Sequence, residues 1–139
     1  MTALNQDRDP RRKEGLLGQG PVGVDATIYG GALVMFNAGR YVVPGADTVG
    51  CIFAGVSAKQ TKNSPGANGD KTAEFWCEGL FMVTLGSAIS QANVGDKVYL
   101  VDDQTVGLVA QTTNDIYCGV IAEYLDSTHA WIDIKPATV

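Results

Sequence analysis

From residue 25 onward, short runs rich in Val, Ile, Tyr, Phe and Thr alternate with clusters of Gly, Asn, Asp and Pro. That rhythm predicts strands joined by tight turns, the pattern of an all-β domain. The runs place strands at 27–29, 32–36, 40–43, 48–57, 73–78, 80–85, 97–101, 107–111, 116–125 and 129–135. The breaks between them carry turn chemistry. Asn37-Ala38-Gly39 tolerates positive φ, Pro44-Gly45 presets a reversal, and Asp102-Asp103 opens another. Only residues 87–93, SAISQAN, read as helix, one or two turns stopped by Gly95. The longest polar loop, 58–71, is expected to be mobile.

Alternation along two of these strands assigns their faces. In 73–78, Ala73, Phe75 and Cys77 oppose Glu74, Trp76 and Glu78; in 129–135, Ala130, Ile132 and Ile134 oppose His129, Trp131, Asp133 and Lys135. Both tryptophans therefore fall on a charged face. There each either covers a loop or neighbouring strand or serves as an interface anchor, a role in which tryptophan is enriched.

Residues 1–23 differ in kind. They are polar, contain Pro10 and Gly15, Gly18, Gly20 and Gly23, and offer only Leu4, Leu16 and Leu17 as sizeable apolar groups before Val22. The segment reads as an extended N-terminal arm, and 24–139 as a single domain. Charge divides the same way. Arg8, Arg11, Arg12 and Lys13 stand against Asp7, Asp9 and Glu14 in the arm, a net of +1, so the rest carries −6 of the total −5. Nucleic-acid binding needs clustered cations to displace phosphate counterions, and the six basic residues of the body are scattered, so no nucleic-acid partner is expected.

Composition narrows the class further. Charged residues at 18% lie below the roughly 25% of an ordinary soluble domain, and the 45% hydrophobic content is too high for a disordered chain. A chain near 150 residues can bury about two-thirds of its unfolded surface, so a core needs neither disulfide nor metal. The longest apolar runs fall far short of the roughly 20 residues that span a bilayer. Residues 7–14 are charged where a secretory segment would be apolar. Neither a membrane partner nor export is expected. Cys51, Cys77 and Cys118, odd in number and without CxxC spacing, read as core thiols in a reducing cytoplasm.

Catalytic and cofactor motifs are weak. Gly18-Gln19-Gly20-Pro21-Val22-Gly23 spells G-x-G-x-x-G, but charged residues precede it and a strand pattern follows, whereas a dinucleotide site needs a strand before and a helix after. Residues 66–72 resemble a P-loop in which Asp70 interrupts the Gly-Lys-Thr, so they read as a glycine-rich hairpin loop. His129 is the single base for a Ser or Cys nucleophile, and Cys118 lies on the preceding strand. No G-x-S-x-G elbow is present. Three cysteines and His129 match a Cys₃His set in number but lack the paired spacing of metal ligands. Asp102 and Asp103, adjacent on the chain, point to opposite faces and suit a turn better than an acid–base pair. No enzyme, cofactor or metal is expected.

A recurring cadence remains: Ala54-Gly55-Val56, Glu78-Gly79-Leu80-Phe81-Met82-Val83, Val94-Gly95-Asp96-Lys97-Val98-Tyr99-Leu100, Ile116-Tyr117-Cys118-Gly119-Val120-Ile121-Ala122 and Ala130-Trp131-Ile132-Asp133-Ile134. Over residues 24–135 it resembles the capsid cement or decoration proteins of tailed bacteriophages. Its general plan is similar to that of the phage lambda head decoration protein, a trimer with an N-terminal arm. Gly119 inside a strand marks a bulge or close backbone approach, consistent with a small β-barrel or β-tulip-like domain with one short helix. The resemblance implies a protein made in the bacterial cytoplasm that sits on the outer virion surface, binds major capsid protein, cross-links its subunits and forms a homo-oligomer, with a trimer favoured. Leu4, Arg8, Arg11, Arg12, Lys13, Leu16, Leu17, Trp76 and Trp131 are the expected capsid contacts. The alternative is a virion-surface carbohydrate-binding β-domain that uses Trp76 and Trp131 as a stacking platform.

Overall fold

Ala130, Ile132 and Ile134 are buried and Trp131 is exposed, as alternation predicts; Ala73, Phe75 and Cys77 are likewise buried and Trp76 exposed. These period-two strands belong to two sheets of an all-β fold in the computed structural model, which describes Ala3, Gln6 and residues 16–137. The strands are β1 Leu17–Pro21, β2 Thr27–Ile28, β3 Leu33–Phe36, β4 Val42–Pro44, β5 Ile52–Ser57, β6 Thr61–Lys62, β7 Thr72–Trp76, β8 Leu80–Leu85, β9 Lys97–Leu100, β10 Thr105–Gly107, β11 Tyr117–Asp126 and β12 His129–Ile134.

The second half closes as a five-stranded barrel in the order β10-β8-β12-β11-β9. All its pairs are antiparallel except β8 with β10. Gly119 permits the closure. A Cβ there would collide with the Asp133 carbonyl oxygen of β12, and the β11–β9 register shifts between Tyr117 and Gly119. Gly55 plays the same part in β5, where a Cβ would strike the Trp76 carbonyl and the β3–β5 register shifts. Gly119 carries the close approach that its place inside a strand predicts, and Gly55 repeats it.

The first half forms a five-stranded antiparallel sheet, β1-β7-β5-β3-β4, beside a two-stranded β2-β6 ribbon. Its strand β3 is buried on both faces, which explains the unbroken run Leu33-Val34-Met35-Phe36. Leu33 and Met35 join the barrel core, whereas Val34 joins a second core with Val22, Ile28, Val42 and Phe75.

The N-terminal boundary needs correction. Residues 17–23, read as the last part of the arm, belong to the folded body. Strand β1 pairs along its whole length with β7, and the fully buried Val22 bridges Val42 of β4. Glycine suggested flexibility there, but Gly18 and Gly20 serve close packing. A Cβ on Gly18 would lie 2.8 Å from the Phe75 ring, and one on Gly20 2.7 Å from a Val42 methyl.

The loop 58–71, expected to be mobile, is instead tied to the chain after β1. Asn63, 1% exposed, donates through Nδ2 to the Gly23 and Ala67 carbonyls at 2.8 and 2.9 Å. The Val24 N–H donates to Asn68 Oδ1 at 2.7 Å, and β6 pairs with β2.

Smaller differences follow local chemistry. Residues 107–111 are the end of β10 and a 3-10 turn at Val109–Gln111. The helix expected at 87–93 contracts to a 3-10 turn, Gln91–Asn93, capped reciprocally by Ser90 and Asn93, with Gly95 at φ 96° beyond it.

Candidate interaction surface

The hydrogen-bond phase of β8 determines what that strand shows to solvent. Leu85 N–H donates to the Thr128 carbonyl at 2.7 Å and Ile134 N–H to the Gly79 carbonyl at 3.2 Å. Because antiparallel pairs alternate between bonded and non-bonded positions, Phe81, Val83 and Leu85 direct their main-chain groups to β12. Leu80, Met82 and Thr84 direct theirs to the opposite side. Strand β10 meets β8 there only at Thr84 and Leu85. Among the described residues the main-chain groups of Leu80 and Met82 have no ladder partner.

The side chains along this open edge are apolar and uncovered. Leu80 is 50% exposed and Met82 54%. Met82 lies opposite Trp131 on β12, which lies opposite Glu123 on β11, so the three form a cross-strand row over the barrel wall. Facing the open edge, Trp76 of β7, Leu33 of β3 and Val56 of β5 contribute to a groove of about 500 Å³ between the sheets. Ser57, Thr84, Gln104 and His129 supply its polar side chains. His129 Nδ1 lies 2.9 Å from Asp126 Oδ1. The Thr128 N–H and the His129 ring hold the Asp126 carboxyl below the ordinary value.

The structure brings together only some of the residues proposed from sequence. Leu17 is half-buried and pairs with Trp76, while the exposed Leu16 accepts the Cys77 N–H through its carbonyl at 2.8 Å. Trp76 and Trp131 stand on different sheets, one beside the groove and one on the barrel wall. Leu4, Arg8, Arg11, Arg12 and Lys13 lie outside the described residues. Sequence reasoning missed Leu80 and Met82 as surface groups. The available signal was the run Leu80-Phe81-Met82-Val83, apolar at both parities and without a charge.

No protein-family model, curated protein or solved structure matches the chain.

The weaker chemical candidates resolve into structural roles. Cys118 is fully buried, its thiol donates to the Val98 carbonyl at 3.5 Å, and burial pushes its pKa strongly up. His129 begins β12, whereas Cys118 lies beside the far end of that strand, where the Lys135 N–H donates to its carbonyl. The two are not a dyad. Cys77 is buried with the second core, but Cys51 is only half-buried. Asp102 accepts the Gln104 and Thr105 N–H groups at 2.9 and 2.8 Å, which is the turn role its sequence position predicts. Among the described residues no group of three or more His, Cys, Asp or Glu side chains is placed to hold a metal ion.

Proposed function

We propose that this chain is a structural decoration, or cement, protein of a tailed-bacteriophage head. It binds the outer surface of the assembled shell and cross-links neighbouring major capsid subunits. The observation that carries this reading is the uncovered apolar row of Leu80, Met82 and Trp131 beside the half-exposed Trp76. Contiguous exposed apolar surface with aromatic anchors marks protein interaction sites. The glycine-dependent cadence supports the same reading, because two of its glycines, Gly55 and Gly119, fall at close backbone approaches of the fold.

In this function the folded body, a trimer on the virion, supplies a rigid platform. Residues 1–15 lie across an adjacent capsid subunit, with Leu4 in an apolar pocket and Arg8, Arg11, Arg12 and Lys13 against acidic surface. Repetition over many equivalent shell sites makes modest affinity at each sufficient. Deleting residues 1–15 and measuring occupancy on expanded, undecorated heads tests the arm. Reduced occupancy is expected, and unchanged occupancy would remove its role. The cut belongs before Leu16, because β1 is part of the fold.

One observation favours the carbohydrate reading as a second possibility: the groove places Gln104, Thr84 and His129 with Trp76, polar groups that no stretch of sequence sets beside that tryptophan. A glycan array compares the two readings. Sugar binding abolished by Trp76→Ala, with head occupancy retained, would favour the carbohydrate-binding domain.

A further inference from the structure

We propose that the open edge of β8 is a strand-accepting site, which takes an extended segment of a major capsid subunit by main-chain pairing with Leu80 and Met82. The inference rests on the capsid reading but concerns a different part of the chain from the arm. It gives the body a grip of its own, so that arm and body hold separate subunits.

Three features support it. First, Leu80 and Met82 are two residues apart and send their N–H and C=O groups away from β12, the spacing at which an added antiparallel or parallel strand bonds. Second, the edge is unprotected. Natural sheet edges are normally blunted by charge, proline or a covering element, whereas Leu80-Phe81-Met82-Val83 has neither charge nor proline and the short β10 stops before reaching it. Third, a groove of about 500 Å³ lies beside it, lined by Met82 of the edge and by Trp76 of the other sheet.

Charge sets the chemistry of the occupant. Glu78 lies just before the edge and Glu123 closes the Met82–Trp131 row, both exposed and without an ion-pair partner among the described residues. Lys135 is engaged by Asp133 at 3.0 Å. The incoming segment therefore has apolar side chains at alternate positions, to meet Met82 and Trp76, and Lys or Arg at its flanks.

Met82→Pro tests the site, because proline removes an N–H that β12 does not use and is tolerated on edge strands with that side outward. Met82→Lys is the companion. It keeps the N–H but places a charge where the occupant's apolar side chains approach. Both are compared with the unaltered chain by co-sedimentation with expanded, undecorated heads, after circular dichroism has established folding. If the proline variant fails to fold, the lysine variant decides. We expect about ten-fold weaker occupancy for either, from the lost main-chain hydrogen bond in the proline variant and from a charge set against apolar groups in the lysine variant, and slowed amide exchange at Leu80 and Met82 in the unaltered chain on heads. Equal occupancy of the folded variants would overturn the inference and leave the capsid reading standing. Failure of the unaltered chain to sediment with heads would overturn that reading and this inference with it. Self-association of the free chain that Met82→Lys abolishes would assign the edge to a second copy instead.

Discussion

Gly119 and Gly20 show how much of this fold hangs on the absence of a side chain. At Gly119 the obstacle is the Asp133 carbonyl, main chain that cannot move without breaking the β11–β12 ladder; at Gly20 it is a Val42 methyl in a packed core. Overpacking costs typically about 1–3 kcal/mol and occasionally more. Gly119→Ala should reach the upper end of that range and Gly20→Ala the lower, as urea unfolding of each variant would measure. Asn63 acts in the opposite sense, through a side chain that is present. Asn63→Ala would remove two hydrogen bonds, to the buried Gly23 carbonyl and to the Ala67 carbonyl, and leave each only a longer bond at 3.2 Å from the Ala26 and Asp70 N–H groups, a loss of about 1–3 kcal/mol. Faster amide exchange at Val24 and Gly69 would place the damage at that junction. The roles of Gly20 and Asn63 cannot be read from the residue alone, since outside a strand pattern glycine and asparagine signal only turns.

At the scale of elements, the turn before β11 depends on Asp47, some 66 residues away along the chain. Its carboxylate accepts the Thr113 and Asn114 N–H groups at 2.8 and 2.9 Å, and these bonds hold its pKa below the ordinary carboxylate value. Folding therefore favours the ionised form. The stabilisation is full above the ordinary carboxylate range and is lost as pH falls through the lowered folded value. Protection of the Thr113 and Asn114 amides, taken relative to the intrinsic exchange rate at each pH, should fall on acidification through that window, and Asp47→Ala should leave protection low at every pH. Strand boundaries were legible where polar and apolar positions alternate, as in β7 and β12, and where a whole apolar run is one strand, as in β8. They were not legible in β1, where two core-facing positions are glycine and leave no hydrophobic period.

For the whole molecule, the described fold takes in the chain from β1 onward. A cut at Gly15 keeps β1 and Val22, whereas a cut after Val22 removes an edge strand and a fully buried side chain. Thermal unfolding should therefore show a much larger drop for the longer deletion, and equal melting of the two would contradict the place of β1 in the sheet. The sequence by itself determined the all-β class, the buried faces of β7 and β12 and the tight approach at Gly119, because period-two patterning and turn chemistry are local properties of the chain. Only the tertiary structure decided that β1 belongs to the body, that the loop after β6 is fastened by Asn63, and that β8 is left open beside Trp76. Each of those depends on which distant segments meet and on where a short partner strand ends, and no local pattern encodes either.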